Sequence, residues 1–188
     1  MPSMMKKVRE NVEGYQTVRC LFCVTGKEES VVEAVHRNGW GRAVFPQQAG
    51  NLRVNRQWID VFKPLLPGYV FVYCGQKPAR QDELARISHV LRVLSYGTGQ
   101  DALTGRDLEF ADWIWRQDGM IGSMKALQIG DWIEITDGVF KQLRGTIIRM
   151  DRRRRIFLVS LDGAGAIQRI WLTYEVVEKR DADKLIPQ

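Results

Sequence analysis

The segment "LLPGYVFVYC", residues 65–74, narrows the fold more than any other part of this sequence. From Tyr69 to Cys74 every residue is apolar or aromatic. At a period of two, Tyr69, Phe71 and Tyr73 line one face of a strand, and Val70, Val72 and Cys74 line the other. A strand that is apolar on both faces needs cover on both, so it belongs in the middle of a sheet. Pro67 fixes φ just ahead of it, and Gly68 lets the backbone turn tightly where the strand begins.

The flanking sequence supplies neighbours for that strand. Residues 17–25 are rich in β-formers. In "TGKEESVVEAVHRNGW" Thr25 or Gly26 can open a helix, with Glu28 and Glu29 in its first turn and Val31, Val32 and Val35 as the apolar stripe. Gly39 and Gly41 close it. "GRAVFPQQ" reads as a short strand ended by Pro46, and residues 47–63 as a long loop or irregular hairpin. "KPARQDELARIS" is a shorter helix, "HVLRVLSYG" another strand. "LTGRDLEFADWIWRQ" is a third helix capped at Thr104, with Phe110, Trp113 and Ile114 on a face expected to be core.

The texture changes after residue 118. "DGMIGSMKALQ" reads as a linker, with two glycines, a serine and weak periodicity. Four strand candidates follow at short spacing: "DWIEIT", "RGTIIRM", "IFLVSLD" and "IQRIWLT". Turn signals separate them at Asp137-Gly138, at Asp151 with the arginines, and at Gly163-Ala164-Gly165. Some 50 residues of short strands imply a small barrel or sandwich.

Composition removes several classes of function. The chain has 188 residues, 45% of them hydrophobic, which supports a packed core in one domain or two small ones. No apolar run approaches the roughly 18 residues of a membrane span, and "MPSMMKKVRE" has no apolar stretch behind its lysines. The cytoplasm is the expected compartment. Cys20 and Cys23 form a C-x-x-C, but positions three apart in a strand face opposite ways and no second pair completes a metal site. Both read as small core residues. With only His36 and His89, no G-x-S-x-G and no Walker loop, no catalytic constellation emerges. A thiol site at Cys20, Cys23 or Cys74 has no local signature behind it. The chain is read as a non-enzyme without cofactor or metal.

Two motifs now carry a resemblance. "KPLLPGYVFV" resembles the strand motif of the NusG family of transcription elongation and antitermination factors, where an apolar residue, Pro, Gly and Tyr open the central strand of the first domain. "GDWIEITDGVFKQLRGTII" resembles the KOW motif that begins the family's barrel. The two occur in the family's order and spacing, from about Val18 to Lys179, and "LFCVTGKEES" and "LTYEVVEK" agree. The resemblance implies an α+β fold: an NGN domain, with an antiparallel sheet flanked by helices, and a small SH3-like KOW β-barrel. The expected boundaries are a disordered tail at 1–16, the NGN-like domain at 17–117, a linker at 118–126, the barrel at 127–180 and a tail at 181–188. A monomer is expected.

This chain departs from the general pattern in three places. Phe140-Lys141-Gln142 stands where the family has Phe-Lys-Gly. Asp162-Gly163 stands where the general factor has a Phe before Gly and meets Rho or a ribosomal protein, so that contact should weaken. Val18-Arg19 replaces a Trp-Tyr start. With "DRRRRI", these departures resemble a specialised LoaP-type paralog, an operon-specific processive antiterminator that recognises a nascent RNA hairpin through its KOW domain. The alternative is a general NusG-type factor coupling transcription to Rho or the ribosome.

Arg152, Arg153, Arg154 and Arg155 fall where a hairpin turn belongs. Lys141, Arg144, Arg149 and Arg169 come from neighbouring parts of the same module and extend the patch. Residues 126–180 hold ten Lys/Arg against seven Asp/Glu, so clustering rather than net charge is the signal. Guanidinium groups pair with phosphates in a bidentate way and stack on bases. A solvated turn that keeps a hydrophobic hairpin soluble is the competing reading. The resemblance further implies that the first domain sits on the β′ clamp helices of bacterial RNA polymerase. By position, Leu21, Phe22, Val24, Leu66, Tyr69 and Phe71 are candidates for that contact, with ordinary core packing as the alternative for each. By analogy with specialised paralogs, Lys27, His36 and Arg37 would meet non-template DNA, where a solvated helix face is the alternative.

Overall fold

The computed structural model describes residues 14–55, 57–129, 131–137, 140–141, 145–161 and 169–180. Residues 1–13 and 181–188 of the expected tails, Gly138, Gln142, Arg144, Asp162 and the Gly163-Ala164-Gly165 turn lie outside the described residues. In chain order the elements are β1 (Thr17–Cys23), α1 (Glu28–Arg37), β2 (Arg42–Val44), β3 (Gln47–Val54), β4 (Gln57–Pro64), β5 (Tyr69–Cys74), α2 (Gln81–Ala85) and β6 (Val90–Val93). Then come α3 (Gly105–Arg116), β7 (Met120–Ile121), β8 (Met124–Ile129), β9 (Trp132–Ile135), β10 (Gly145–Asp151), β11 (Ile156–Leu161) and β12 (Arg169–Arg180). The result is a mixed α+β chain, mostly sheet. It groups into two compact units: Met1–Phe45 with Pro67–Leu103, and Pro46–Leu66 with Thr104–Gln188.

The first unit is built on an antiparallel sheet in the order β2-β5-β1-β6. β5 is internal, as its two apolar faces require. On one face Val70, Val72 and Cys74 join Leu21, Cys23, Val31, Val35, Leu84 and Val93 in a common core. On the other, Phe71 and Tyr73 are buried as well. The N-cap of α1 is Lys27, not Thr25 or Gly26, and Glu28 is the first residue of the helix. Its buried carboxylate accepts the Gly26 and Gly68 backbone N–H groups, each at 2.7 Å. One side chain thus fastens the first helix to the turn that launches β5. Cys20, Cys23 and Cys74 are free thiols, all buried.

The second unit contains two sheets. Residues 47–63, read as a loop or irregular hairpin, fall in a regular one, paired without slippage from Gln47↔Pro64 to Val54↔Gln57. Its polar texture concealed the strands because pairing, not periodicity, satisfies their backbone groups. β7 adds to β3 in parallel, giving the order β4-β3-β7. The stretch read as a linker therefore carries strand residues: Met120–Ile121 in β7 and Met124–Ile129 in β8. Ile121, Met124, Ala126 and Leu127 are buried there, and the intervening Gly122 and Ser123 broke the pattern that would have exposed them as strands. In α3, Phe110, Trp113 and Ile114 are buried, with the two aromatic rings 5.6 Å apart.

The larger sheet runs β10-β11-β12-β8-β9. β12 is twelve residues long and joins "RIWLT" and "LTYEVVEK" in one strand. It pairs antiparallel with β11 and, further along, parallel with β8.

Candidate nucleic-acid interface

The β10–β11 hairpin presents the arginine run. Asp151 pairs with Ile156, and Arg152–Arg155 form the four-residue turn between them. Three contacts fix its shape. The Asp151 carboxylate accepts the Arg154 backbone N–H at 3.0 Å, and its second oxygen lies 3.7 Å from Arg154 Nε. The Tyr174 N–H of β12 donates to the Arg155 carbonyl at 2.9 Å. Arg155 itself takes the left-handed conformation, φ 53°, that closes such loops. All four arginine side chains stay exposed. Burial pushes the Tyr174 phenol above its ordinary pKa, against the opposing pull of Arg152 and Arg155.

Behind the turn, alternation sorts the sheet into two faces. Phe157, Val159, Ile170, Leu172 and Tyr174 point inward and are buried. The outward rows are set by register. Arg149 stands opposite Leu158, which stands opposite Trp171; Thr146, Ser160 and Arg169 form another row. A bulge between Ile147 and Arg149 turns Arg149 to this outer face and leaves Ile148 exposed. Gly145 permits the close pairing at the start of β10: a Cβ there would stand 2.4 Å from Val159 Cγ1. Arg149 and Arg169 are exposed on the same surface, and Lys141 is exposed elsewhere in the unit. Arg144 lies outside the described residues. Trp171, 36% exposed, was missed by sequence reasoning. Its signal was present in "QRIWLT": if Ile170 and Leu172 face the core, Trp171 cannot.

The candidate polymerase-facing residues separate by burial. Leu21 and Phe71 are fully buried and offer no surface to a partner. Phe22 and Tyr69, opposite one another across β1 and β5, are partly exposed with ring centroids 5.1 Å apart. Arg92 of β6 stacks over the Phe22 ring at 5.4 Å, in the same cross-strand row. Val24 is 41% exposed rather than core, since the chain leaves the sheet at Cys23. Leu66, partly exposed, belongs to the second unit. Lys27 and Arg37 are exposed at opposite ends of α1. His36 is engaged: its Nε2 accepts the Ala43 backbone N–H at 2.9 Å. Burial, then the neighbouring Arg42, holds its pKa below the ordinary imidazole value. Among the described residues, no group of three or more His, Cys, Asp and Glu side chains is placed to hold a metal ion. No helix among them is long and apolar enough to cross a membrane.

No family model matches the chain. Two curated relatives do, the transcription termination/antitermination proteins NusG of Rickettsia typhi and Rickettsia conorii, each 24% identical over 124 residues. The chain is similar to the NusG family. The match spans 65% of this chain and 65% of each NusG relative's length. A solved structure of Thermotoga maritima NusG, described as showing a domain interaction, aligns with 84% of this chain and 93% of its own, at 22% identity and a TM-score of 0.49.

Proposed function

We propose that this chain is a non-enzymatic transcription factor of the NusG family, acting as an operon-specific processive antiterminator. In this reading the first unit binds RNA polymerase at the β′ clamp helices, and the outer face of β10–β12 holds a structured nascent RNA. The observation that carries it is the turn Arg152–Arg155: four exposed guanidinium groups at a hairpin tip, with Arg149 and Arg169 on the face behind them. Exposed, clustered arginines fit phosphate better than any apolar partner, and each phosphate neutralised releases counterions. For the polymerase contact the accessible candidates are Phe22, Val24 and Tyr69, with Arg92 as a charged rim. The mechanism is physical. One unit rides the enzyme and the other raises the local concentration of the transcript beside it. Contact of Lys27 and Arg37 with non-template DNA belongs to the same reading, and His36 is left out because its accepting nitrogen is occupied.

The test uses the full chain in two arms. It should co-purify with bacterial RNA polymerase, and it should bind a structured RNA. Replacing Arg152, Arg153, Arg154 and Arg155 together by serine should lower RNA affinity about 10²–10³-fold near 0.1 M salt while leaving polymerase capture intact. Loss of polymerase capture in the wild-type chain would sink the whole assignment. Unchanged RNA affinity in the serine variant would instead leave a general factor coupling transcription to Rho or the ribosome.

A further inference from the structure

We infer that the outer face of β10–β12 reads an unpaired nucleotide: Trp171 is the platform on which its base stacks, and the arginines on either side hold the flanking phosphates. The inference rests on the RNA reading above and makes its ligand specific: a stem interrupted by, or opening into, an unpaired base.

Three observations carry it. First, a large aromatic ring is kept partly in solvent on a strand whose neighbours Ile170 and Leu172 are fully committed to the core. Second, its surroundings are cationic. Arg149 lies in its cross-strand row beyond Leu158, Arg169 precedes it by two residues on the same face, and the turn row Asp151–Ile156–Thr173 follows it by two. At about 3.3 Å per residue, Arg169 and the turn row each stand about 7 Å from Trp171 along the strand. Third, the face is closed at one end. Thr173 donates its hydroxyl to the Ala49 carbonyl of β3 at 2.8 Å and lies 3.2 Å from the Ser123 hydroxyl. The surface is therefore bounded by β3 at Thr173 and continues past Trp171 toward Arg169.

A duplex alone has no use for such a ring. The major groove of A-form RNA is deep and narrow, and proteins that read RNA sequence do so on unpaired bases stacked against aromatic or guanidinium planes. Arginines without the tryptophan would grip any backbone; the tryptophan supplies the discrimination. A protein partner covering this face would have to bury six arginines, Arg149, Arg152–Arg155 and Arg169, an arrangement protein interfaces avoid at their centres.

The experiment compares two probes with the full chain: a stem carrying one unpaired adenosine, and the same stem fully paired. Wild type should prefer the first by about tenfold or more. Trp171→Leu keeps the apolar bulk but not the stacking surface. It should lose that preference while keeping its affinity for the paired stem and its salt dependence. Trp171→Phe should retain most of the preference. The unpaired probe should also quench part of the wild-type tryptophan emission, and that part should be missing in Trp171→Phe. Equal binding of the two probes by wild type overturns the inference, as does an undiminished preference in Trp171→Leu. If wild type binds neither stem, the RNA reading itself falls, and the inference with it.

Discussion

Gly68 meets three demands at one position. Its φ of +83° lies in the left-handed region, its N–H donates to Glu28, and its carbonyl accepts the Cys23 N–H at 2.8 Å. A Cβ would stand 2.9 Å from the Cys23 carbonyl oxygen and 3.0 Å from the Phe22 ring. The first of these atoms is backbone inside a paired strand and cannot step aside. Gly68→Ala should therefore cost about 1–3 kcal/mol, read as a lower urea midpoint with an unchanged slope. Gly75 is the control. A Cβ there meets nothing within 4 Å, and Gly75→Ala should stay within about 0.5 kcal/mol of wild type. Because Phe22 flanks the Gly68 turn, the same substitution should also weaken polymerase capture if the Phe22–Tyr69 pair is part of that contact. Arg155 shows the opposite solution to a similar problem: a left-handed residue that is not glycine, held by the hydrogen bond Tyr174 donates to its carbonyl.

At the scale of elements, His36 links the last turn of α1 to the backbone of β2 as a hydrogen-bond acceptor, a role only the neutral ring can fill. Its folded pKa is lowered, so the stability it contributes is present above the unfolded value near 6.5. That contribution is lost as pH falls through the lowered folded pKa. Urea midpoints measured from pH 7.5 down to 5 should decline in wild type, and the His36→Gln variant should lack that portion of the decline. Elements of this kind were partly legible beforehand. β5, α1, α3 and the arginine turn followed from local pattern, because one residue type dominated each face. The β3–β4 hairpin was legible only as one of two alternatives, a loop or an irregular hairpin, and β7 and β8 were not legible. Gln47, Gln48 and Gly50, or Gly122 and Ser123, say nothing about a period; β3 and β4 are settled by pairing with each other, and β7 and β8 by pairing with the sequence-distant β3 and β12. The candidate site divided in the same way. The charges of Arg152–Arg155 could be read directly, whereas Trp171 required knowing which face of β12 the core had claimed. Leu21 and Phe71 failed as surface candidates because position along a strand does not reveal what covers it.

At the scale of the whole molecule, the charge of +6 is less informative than its placement. Six of the described cations lie on one hairpin tip and the face behind it. The logarithm of RNA affinity should fall linearly with the logarithm of salt, and replacing the four turn arginines by serine should make that slope shallower by about 3–4. A slope that is the same in both proteins would mean the turn touches no phosphate. The long strand β12 sets a further condition. It is the only strand that joins β10–β11 to β8–β9 among the described residues, and it is also the last of them to be synthesised. Until Arg169–Arg180 have cleared the ribosome, this five-stranded sheet consists, among the described residues, of two hairpins with no shared strand, and a two-stranded ribbon is marginal by itself. The tryptophan and Arg169 arrive on that same final segment, so a nascent copy can display its arginines before it has any surface with which to choose among transcripts.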